Sequence, residues 1–391
     1  MIGKLAVAST GLGLLALAGA LAAQAPSRPA QNPAQSPVQS PVQSAAPSPA
    51  QSEGAKGANS AKGLTAVVGL TVGHHTLTER PTGCTVILTG ADGVVAGVDV
   101  RGGAPGTRDI ELLDPSNSVQ RVHAIVLSGG SAFGLDAAGG VMRYLDERKI
   151  GFKIAGTQVP IVPAAILMDL GFGGKPEIRP GPDCGYRAAT AASADAVAEG
   201  NVGAGAGATV GKLGEPRRPM KAGIGSAAIV LPDGLVVAAL VAVNAVGDVI
   251  DPTTNKVIAG VRTADGKGLA DARLLLRSGA KFPDRPGENT TLGVVATNAT
   301  LTKAQARKVA QMAHDGFARA ISPIHTPADG DTIFALATGA RPGEPDILRI
   351  GALAADVMSE AIVRAALSAK ASGGLPAARD LRGSTVPPAA R

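Results

Sequence analysis

Short apolar runs rich in valine and isoleucine recur along this chain, and each is bounded by glycine, proline, aspartate or asparagine. They cover 66–72, 84–88, 94–100, 124–127, 226–230, 235–243, 291–297 and 332–337. Runs of this length and composition, closed by turn-forming residues, are typical of β-strands. Pro232-Asp233-Gly234 separates two of them and predicts a hairpin turn. The core is therefore expected to be built on β-sheets.

Helical patterns fill the intervals between these runs. Residues 134–148 carry an apolar face, 186–199 are rich in alanine, and 346–370 form a final apolar segment. At 302–320, Thr302 and Gln305 have the spacing of a capping box. Strands and helices interleave without a strict βαβ rhythm, so the predicted fold class is a layered α/β structure rather than a doubly wound sheet.

The side chains available for the core are small. The chain has 52 glycines and only 2% aromatic residues, so closely approaching backbones and β-branched side chains must fill the interior. So few aromatics leave no stacking platforms for single-stranded nucleic acid. No dense run of lysine or arginine accompanies the formal net charge of +6. No nucleic-acid partner is expected.

The N-terminal region has the features of an exported protein. Residues 1–25 read as a signal peptide, with Lys4 before an apolar run and Ala-x-Ala steps at its end. An uncleaved membrane tether is the alternative, because the run approaches membrane-spanning length. Residues 26–62 form a Pro/Gln/Ser-rich linker, 63–372 the folded domain and 373–391 a flexible tail. The expected location is periplasmic or extracellular.

Cys84 and Cys184 are the chain's two cysteines. Export permits a disulfide between them, although Cys84 opens an apolar run and is more simply explained as a buried thiol. The histidines at 74, 75, 123, 314 and 325 lack the spacing of zinc ligands. No metal and no cofactor are expected.

Two motifs fit familiar sites poorly. The stretch Gly203–Lys212 lacks the glycine and the hydroxyl residue of a phosphate-binding loop, having Ala206 and Leu213 instead, and it lacks the third glycine of a dinucleotide loop. It could still deliver Lys212 to a site. Ser131 follows a strand and precedes a helix, but Phe133 breaks the nucleophile-elbow pattern. A serine hydrolase is therefore the weaker interpretation, and a serine that caps the helix is preferred.

Polar residues of types that can take part in catalysis stand before two of the predicted strands. Asn289-Thr290 follows a turn-forming stretch at 283–288, so cutting that loop would expose a hydroxyl residue held rigidly by a strand. Asp329 and Asp331 precede the strand at 332–337, and strand alternation would point both carboxylates to one side. Alone, a threonine at a strand start is commonplace, and the acidic pair could be a turn or a surface calcium-type loop.

Together these segments resemble the P1 family of peptidases, the L-aminopeptidase/D-amidase group (peptidase family S58), which includes the nylon-oligomer hydrolases. The resemblance spans nearly all of 63–370. It is carried by Val72–His74, Thr82–Val86, Val98–Thr107, Leu127–Asp136, Val159–Pro163, Gly203–Lys212, Val243–Asp248 and Asn289–Asn298.

The resemblance implies an αββα-type layered sandwich, similar to ornithine acetyltransferase, and a homo-oligomer of cleaved protomers. It also implies that the precursor cuts itself between Asn289 and Thr290, which makes Thr290 the nucleophile. Lys212, Asp329 and Asp331 resemble the nylon-oligomer hydrolase branch, and Asn244 matches the family's active-site asparagine. Met168 stands where relatives commonly carry tyrosine.

The expected activity is hydrolysis of small peptide or amide substrates through an acyl-enzyme on Thr290. The freed α-amine would serve as the base, because an amine titrates near neutrality whereas the amide it replaces has no basicity. The resemblance implies the remaining roles: Asn244 would donate to the oxyanion, and Lys212 would orient the Thr290 hydroxyl or lower the pKa of the amine. The two aspartates, Asp329 and Asp331, would hold the Thr290 amine and Lys212. The alternatives are a 6-aminohexanoate oligomer endohydrolase, an ornithine-type acetyltransferase and a non-catalytic periplasmic protein.

Overall fold

The computed structural model describes residues 60–279 and 287–381. The predicted signal peptide 1–25, residues 26–59 of the predicted linker, most of the loop before Glu288 and residues 382–391 of the predicted tail lie outside the described residues. Within the described ranges, no helix combines the length and the hydropathy needed to cross a bilayer.

The strands, in chain order, are β1 (Thr71–Thr76), β2 (Gly83–Leu88), β3 (Val95–Val100), β4 (Thr107–Arg108), β5 (Ala124–Ser128), β6 (Phe152–Ile154), β7 (Thr157–Val159), β8 (Ala164–Ile166), β9 (Thr209–Val210), β10 (Met220–Lys221), β11 (Ile224–Val230), β12 (Val236–Asn244), β13 (Asp248–Ile250), β14 (Val257–Ala259), β15 (Thr290–Ala299), β16 (Ile321–Ser322) and β17 (Thr332–Arg341). The α-helices are α1 (Ala137–Glu147), α2 (Pro182–Thr190), α3 (Ala272–Arg277), α4 (Lys303–Ala320), α5 (Ile347–Ser368) and α6 (Ala378–Leu381).

Two five-stranded sheets form the centre of the fold. One has the order β1-β2-β5-β8-β4 and the other the order β11-β12-β15-β17-β3. Apolar side chains of both sheets, among them Leu127, Leu240 and Phe334, share one buried cluster, which is the core between the sheets. A second cluster joins the first sheet to α1 and α2, and a third joins the second sheet to α4 and α5. The layers therefore run αββα, which confirms the predicted fold class.

The predicted hairpin and capping box are both present. β11 and β12 pair antiparallel across the turn at Pro232–Gly234, where Gly234 has a φ of 81° and donates to Leu231. At α4, the Thr302 hydroxyl accepts from the backbone of Gln305, whose side chain accepts in return from the Thr302 backbone.

The strand predicted at 66–72 is wrong in its first part. Residues Ser60–Ala66 are 3₁₀-helical on either side of a kink at Gly63, whose φ is 66°, and β1 begins only at Thr71. Leu64, Val67 and Leu70 recur at a spacing of three, successive backbone hydrogen bonds link them, and all three are buried between the sheets. Val67 and Leu70 thus lie in turns that follow the 3₁₀ helix and repeat its i→i+3 hydrogen bonding, and their apolar side chains led to the wrong prediction of a strand.

The helix predicted at 186–199 is shorter and begins earlier. α2 starts with Pro182, a residue favoured at the first helical position, and ends at Thr190. Beyond it, Ser193 exchanges two backbone hydrogen bonds with Val72 of β1. Pairing with a distant strand therefore overrides the helical tendency of this alanine-rich segment.

Cys84 on β2 and Cys184 on α2 form a disulfide. The interpretation of Cys84 as a free buried thiol is therefore wrong, because the partner lies 100 residues away in sequence and packs against it only in the folded sheet.

At the other end of the domain, part of the segment predicted as a tail packs on the core: Ser372 bridges to Leu375, and Ala378 of α6 is buried.

Candidate active site

Thr290 is the first residue of β15, a strand with neighbours on both sides. β12 pairs with it antiparallel, so that Asn244 lies opposite Thr290, and β17 pairs with it in parallel from Leu292 onward. Asn289, just before the strand, forms a parallel bridge with Asp329. Thr290, Asn244 and Asp329 are all buried. The sheet thus brings together residues from three distant segments at one end of its central strands.

The carbonyl group of Asn289 is held from two directions. The Thr290 hydroxyl donates to its oxygen at 2.5 Å, and the backbone N–H of Gly330 donates to the same oxygen at 2.8 Å. A Cβ added at Gly330 would lie 2.7 Å from Oγ1 of Thr290, closer than real Cβ contacts come. Glycine at 330 is therefore what allows this approach.

Lys212 reaches the site from the glycine-rich loop, as the sequence analysis allowed. The backbone of Gly211 and Lys212 donates to the carbonyls of Gly247 and Val246, and a Cβ at Gly211 would lie 2.0 Å from the backbone of Gly260. Nζ of Lys212 then donates to Oδ1 of Asn244 at 2.7 Å, to the carbonyl oxygen of Asn244 at 3.1 Å, and to that of Glu288 at 3.5 Å.

Lys212 is only 8% exposed, and its burial lowers its pKa to about 7, although the nearby Asp329 carboxylate opposes that change. The side chain of Asn244 is fixed at both of its ends. Its Oδ1 accepts from Lys212 and from the backbone N–H of Thr209, and its Nδ2 donates to the carbonyl of Met168 at 3.0 Å. An amide has two N–H donors, so one of them is left for another acceptor.

The two aspartates act on the backbone around the site. Oδ1 of Asp331 accepts from the N–H of Thr291 at 2.8 Å, so this carboxylate fixes the residue after Thr290. Asp329 accepts from the backbone N–H and the hydroxyl of Thr326 and, at 3.4 Å, from the N–H of Val246. Burial, and after it the neighbouring Asp331 carboxylate, raise the pKa of Asp329.

Neither aspartate is hydrogen-bonded to Lys212 or to Thr290 itself within the described residues. Among these residues of the uncut chain, the contacts expected of the two aspartates, with Lys212 and with the Thr290 nitrogen, are therefore not formed. In the same part of the chain, no group of three or more His, Cys, Asp or Glu side chains is arranged to hold a metal ion.

His325 is a site residue that the sequence analysis missed. Its backbone N–H and its Nδ1 contact Oδ2 of Asp331 at 3.0 and 2.9 Å, and its φ of 58° is in the left-handed region. Its ring stacks on Phe317 and meets His314 edge to face, so helix α4 fixes its position. A carboxylate only accepts hydrogen bonds, so Nδ1 is the donor. Nothing in the local sequence marks this histidine.

A buried ion pair beside the site was missed as well. Asp169 accepts from Nη2 of Arg80 at 2.9 Å, from the hydroxyl of Thr82 at 2.5 Å and from the N–H of Gly130 at 2.9 Å. Arg80 also donates to the carbonyls of Asp169, Phe172 and Ile178. Asp169 follows Met168 directly, so this pair fixes the loop that receives Nδ2 of Asn244.

A cavity of about 400 Å³ opens next to this loop. Its lining includes Met168, Phe172, Pro219, Lys212, Arg217 and Glu288. Arg217 and Glu288 form an ion pair with 2.5 Å between Nη1 and Oε2. The cavity therefore adjoins the residues just before Thr290, whereas Thr290 is not part of its lining.

Ser131 is not part of this group. It begins a 3₁₀ helix after β5 with a φ of 54°, and its backbone N–H donates to Leu167. The predicted helix cap is wrong, because the helix begins after Gly130 and no side chain caps it. No hydrogen bond joins the Ser131 hydroxyl to a histidine in the described ranges, so the serine-hydrolase interpretation gains no support.

Comparison with known proteins gives a consistent result. The model of peptidase family S58 matches residues 62–378. The chain is 41% identical to an uncharacterized aminopeptidase of Mycobacterium tuberculosis, over 81% of this chain and 97% of the relative. It is 30% identical to a 6-aminohexanoate-oligomer endohydrolase of Kocuria sp., over 76% of this chain and 84% of the relative.

Among solved structures, the L-aminopeptidase D-Ala-esterase/amidase of Ochrobactrum anthropi, described as a variant of the Ntn hydrolase fold, aligns with a TM-score of 0.59 at 20% identity. The alignment covers 81% of this chain and 88% of that protein. At this identity, the likeness supports the fold alone.

Proposed function

This chain belongs to peptidase family S58 and is a hydrolase of peptide or amide bonds, and we propose that Thr290 is its nucleophile, released as an N-terminal residue by self-cleavage of the Asn289–Thr290 bond. The observation that carries the proposal is the pair of contacts on the Asn289 carbonyl. The Thr290 hydroxyl lies against that group, and the Gly330 N–H polarises its oxygen.

Self-cleavage proceeds in two chemical steps. Oγ1 of Thr290 attacks the carbonyl carbon of Asn289, the C–N bond breaks, and the hydroxyl proton passes to the nitrogen, leaving an ester. Water then hydrolyses the ester, which frees the Asn289 carboxylate and restores the Thr290 hydroxyl. Negative charge develops on the oxygen that already accepts from Gly330, and a donor in this position stabilises such a transition state.

Cleavage creates the base that turnover needs. A free α-amine has an ordinary pKa of about 7.7–8.0, so near neutral pH part of it can accept the hydroxyl proton, which the amide of the uncut chain cannot do. In turnover, Thr290 would form an acyl-enzyme that water resolves. The second N–H of Asn244 would donate to the oxyanion, and Lys212 would hold Asn244 in the required orientation.

Expression of wild type beside Thr290→Ala and Thr290→Ser tests the proposal. Wild type is expected to yield two fragments, the smaller beginning Thr-Thr-Leu-Gly, and to hydrolyse amino-acid p-nitroanilides. The alanine variant should remain one inactive chain, whereas serine, which keeps a hydroxyl, should still be cut. A fully active chain that stays whole would refute the proposal. A small fragment that begins at another residue would assign the nucleophile to that residue instead of Thr290.

A second candidate is hydrolysis of polyamide oligomers, favoured by the similarity to the Kocuria endohydrolase together with the Lys212, Asp329 and Asp331 set. Release of primary amines from linear and cyclic 6-aminohexanoate oligomers, compared with p-nitroanilides and β-peptides, separates the two. An ornithine-type acetyltransferase would instead transfer acetyl groups to glutamate. A non-catalytic periplasmic protein would not be cut at all.

Export of the chain and its assembly as a homo-oligomer of cleaved protomers stay predictions from the sequence. Fractionation of expressing cells and the start of the mature chain test the first, including the alternative of an uncleaved tether. Light scattering on the purified protein tests the second.

A further inference from the structure

The uncut chain contains its own substrate, and this shows where the acyl side of an amide lies. In self-cleavage, the leaving nitrogen is that of Thr290, and the acyl group ends with Glu288 and Asn289. A substrate that acylates the same hydroxyl must place its acyl portion along the same path. The positions of these two residues therefore outline the acyl subsites, an inference that rests on the proposed function.

The path leads from the buried Asn289 into open space. Asn289 is 2% exposed, whereas Glu288 lines the cavity of about 400 Å³ next to Lys212. Nζ of Lys212 lies 3.5 Å from the carbonyl oxygen of Glu288. A single amino acid on the acyl side would end at the position of Asn289 and leave this cavity empty. An acyl group one residue longer would enter it.

The charge that such a group meets is positive. Nη1 of Arg217 binds the Glu288 carboxylate, and both side chains are about one quarter exposed. Nε of Arg217 is buried and has no hydrogen-bond partner among the described residues. A guanidinium can bind a carboxylate through two parallel N–H donors, so Arg217 retains a donor that Glu288 does not use.

The other acidic side chain in the lining does not neutralise Arg217. Both oxygens of Asp169 are occupied by Arg80, Thr82 and the N–H of Gly130. Turnover requires the segment ending at Asn289 to leave the acyl path. Arg217 then faces the cavity without its carboxylate partner.

We propose that Arg217 is a specificity subsite for a carboxylate on the acyl side of the scissile bond, one residue beyond the residue that acylates Thr290. The preferred substrates are then extended amides with an acidic group at that position, rather than amides of a single N-terminal amino acid.

The test uses matured protein and four p-nitroanilides: Glu-Asn, Gln-Asn, Lys-Asn and Asn alone. Wild type is expected to give the highest kcat/KM with Glu-Asn. Arg217→Ala should lower that value roughly tenfold to a hundredfold, as expected for a lost hydrogen bond to a charged group, and should barely change the Gln-Asn value. Arg217→Glu should reverse the preference towards Lys-Asn. Arg218→Ala, a neighbour whose guanidinium binds the carbonyl of Arg262, is the matched control.

A measurement on wild type alone covers variants that fail to mature. Acetyl-Glu-Asn, which carries the sequence of the cut end, should inhibit more strongly than acetyl-Gln-Asn. Equal kcat/KM for the three dipeptide substrates, together with equal inhibition by the two peptides, would overturn the subsite and leave the nucleophile intact. No hydrolysis of any substrate by fully cleaved protein would instead count against the proposed function.

Discussion

Gly330 donates its backbone N–H to the carbonyl oxygen of Asn289 at 2.8 Å, at a point where its missing side chain also leaves room for the Thr290 hydroxyl. A Cβ at position 330 would lie 2.7 Å from that hydroxyl and 2.7 Å from the carbonyl oxygen of Ala104. One residue thus provides both the donor to the Asn289 carbonyl and the space for the Thr290 hydroxyl.

Gly330→Ala should therefore slow the proposed self-cleavage. The added methyl must push Oγ1 of Thr290 or the loop aside, and a displacement of about 1 Å at a reacting group can cost about a hundredfold in rate. The fraction of cut chain, followed by gel after expression, measures the effect. Gly139→Ala, where a Cβ meets nothing within 4 Å, is the control. Cleavage of both variants at the wild-type rate would contradict the role of this glycine.

Lys212→Met should change how stability depends on pH. Burial lowers the pKa of Lys212 from 10.5 to about 7, so between these values the unfolded chain holds a proton that the folded chain has lost. The wild-type free energy of unfolding therefore gains a contribution that rises with pH across that window, and the cost of burying the charge is fully present below pH 7. Relative to wild type, the methionine variant should be most stabilised near pH 6 and least near pH 10.

Urea unfolding in a Thr290→Ala background measures this difference, because both proteins then remain single chains. Lys308→Met, which removes an exposed lysine on α4, is the control. A stability difference that stays constant from pH 6 to pH 10 would show that Lys212 keeps its proton throughout.

Replacing His325 should weaken catalysis through Asp331. His325→Gly tolerates the left-handed backbone and keeps its N–H on Asp331 but removes the Nδ1 donor, so the carboxylate that anchors Thr291 is held less rigidly. His325→Asn also tolerates this backbone and offers an amide N–H in place of Nδ1. We expect kcat to fall about tenfold or more in the glycine variant with little change in KM, and to recover largely with asparagine. Equal losses in the two variants would exclude a positioning role.

Removing the disulfide should reduce stability without altering the site. Cys84 and Cys184 join β2 to α2 across a loop of 100 residues, on the outer face of the sheet that does not contain Thr290. A crosslink of this kind is typically worth about 2–4 kcal/mol. The Cys84→Ala/Cys184→Ala protein should unfold at lower urea concentration and retain wild-type kcat/KM at low temperature. An unchanged unfolding midpoint would contradict this prediction.

Local sequence patterns predicted most of the strands and helices, but not the contacts between residues that are distant in sequence. Strands such as β12 and β15 and the helices α4 and α5 follow from local periodicity and capping, which short windows contain. The turns that follow the 3₁₀ helix at Ser60–Ala66 were missed because Leu64, Val67 and Leu70, three residues apart, are hard to distinguish from a continuous apolar run.

The same division holds at the site. Lys212, Asn244 and Thr290 stand in motifs that could be recognised, and the sheet brings them together. Arg80 and Asp169 are 89 residues apart, and their pairing depends on burial that no local pattern encodes. His325 contacts a carboxylate six residues away from a left-handed backbone conformation, which the local sequence does not indicate.

β15 lies in the middle of its sheet, between β12 and β17. A cut before its first residue would place β12 on one polypeptide and β15 and β17 on the other, with a shared core that neither could complete alone. The halves could then separate only by unfolding, and reunion would become a second-order encounter that slows with dilution. Maturation would therefore be hard to reverse: the precursor folds as one chain, whereas the denatured mature enzyme would have to reassemble from two.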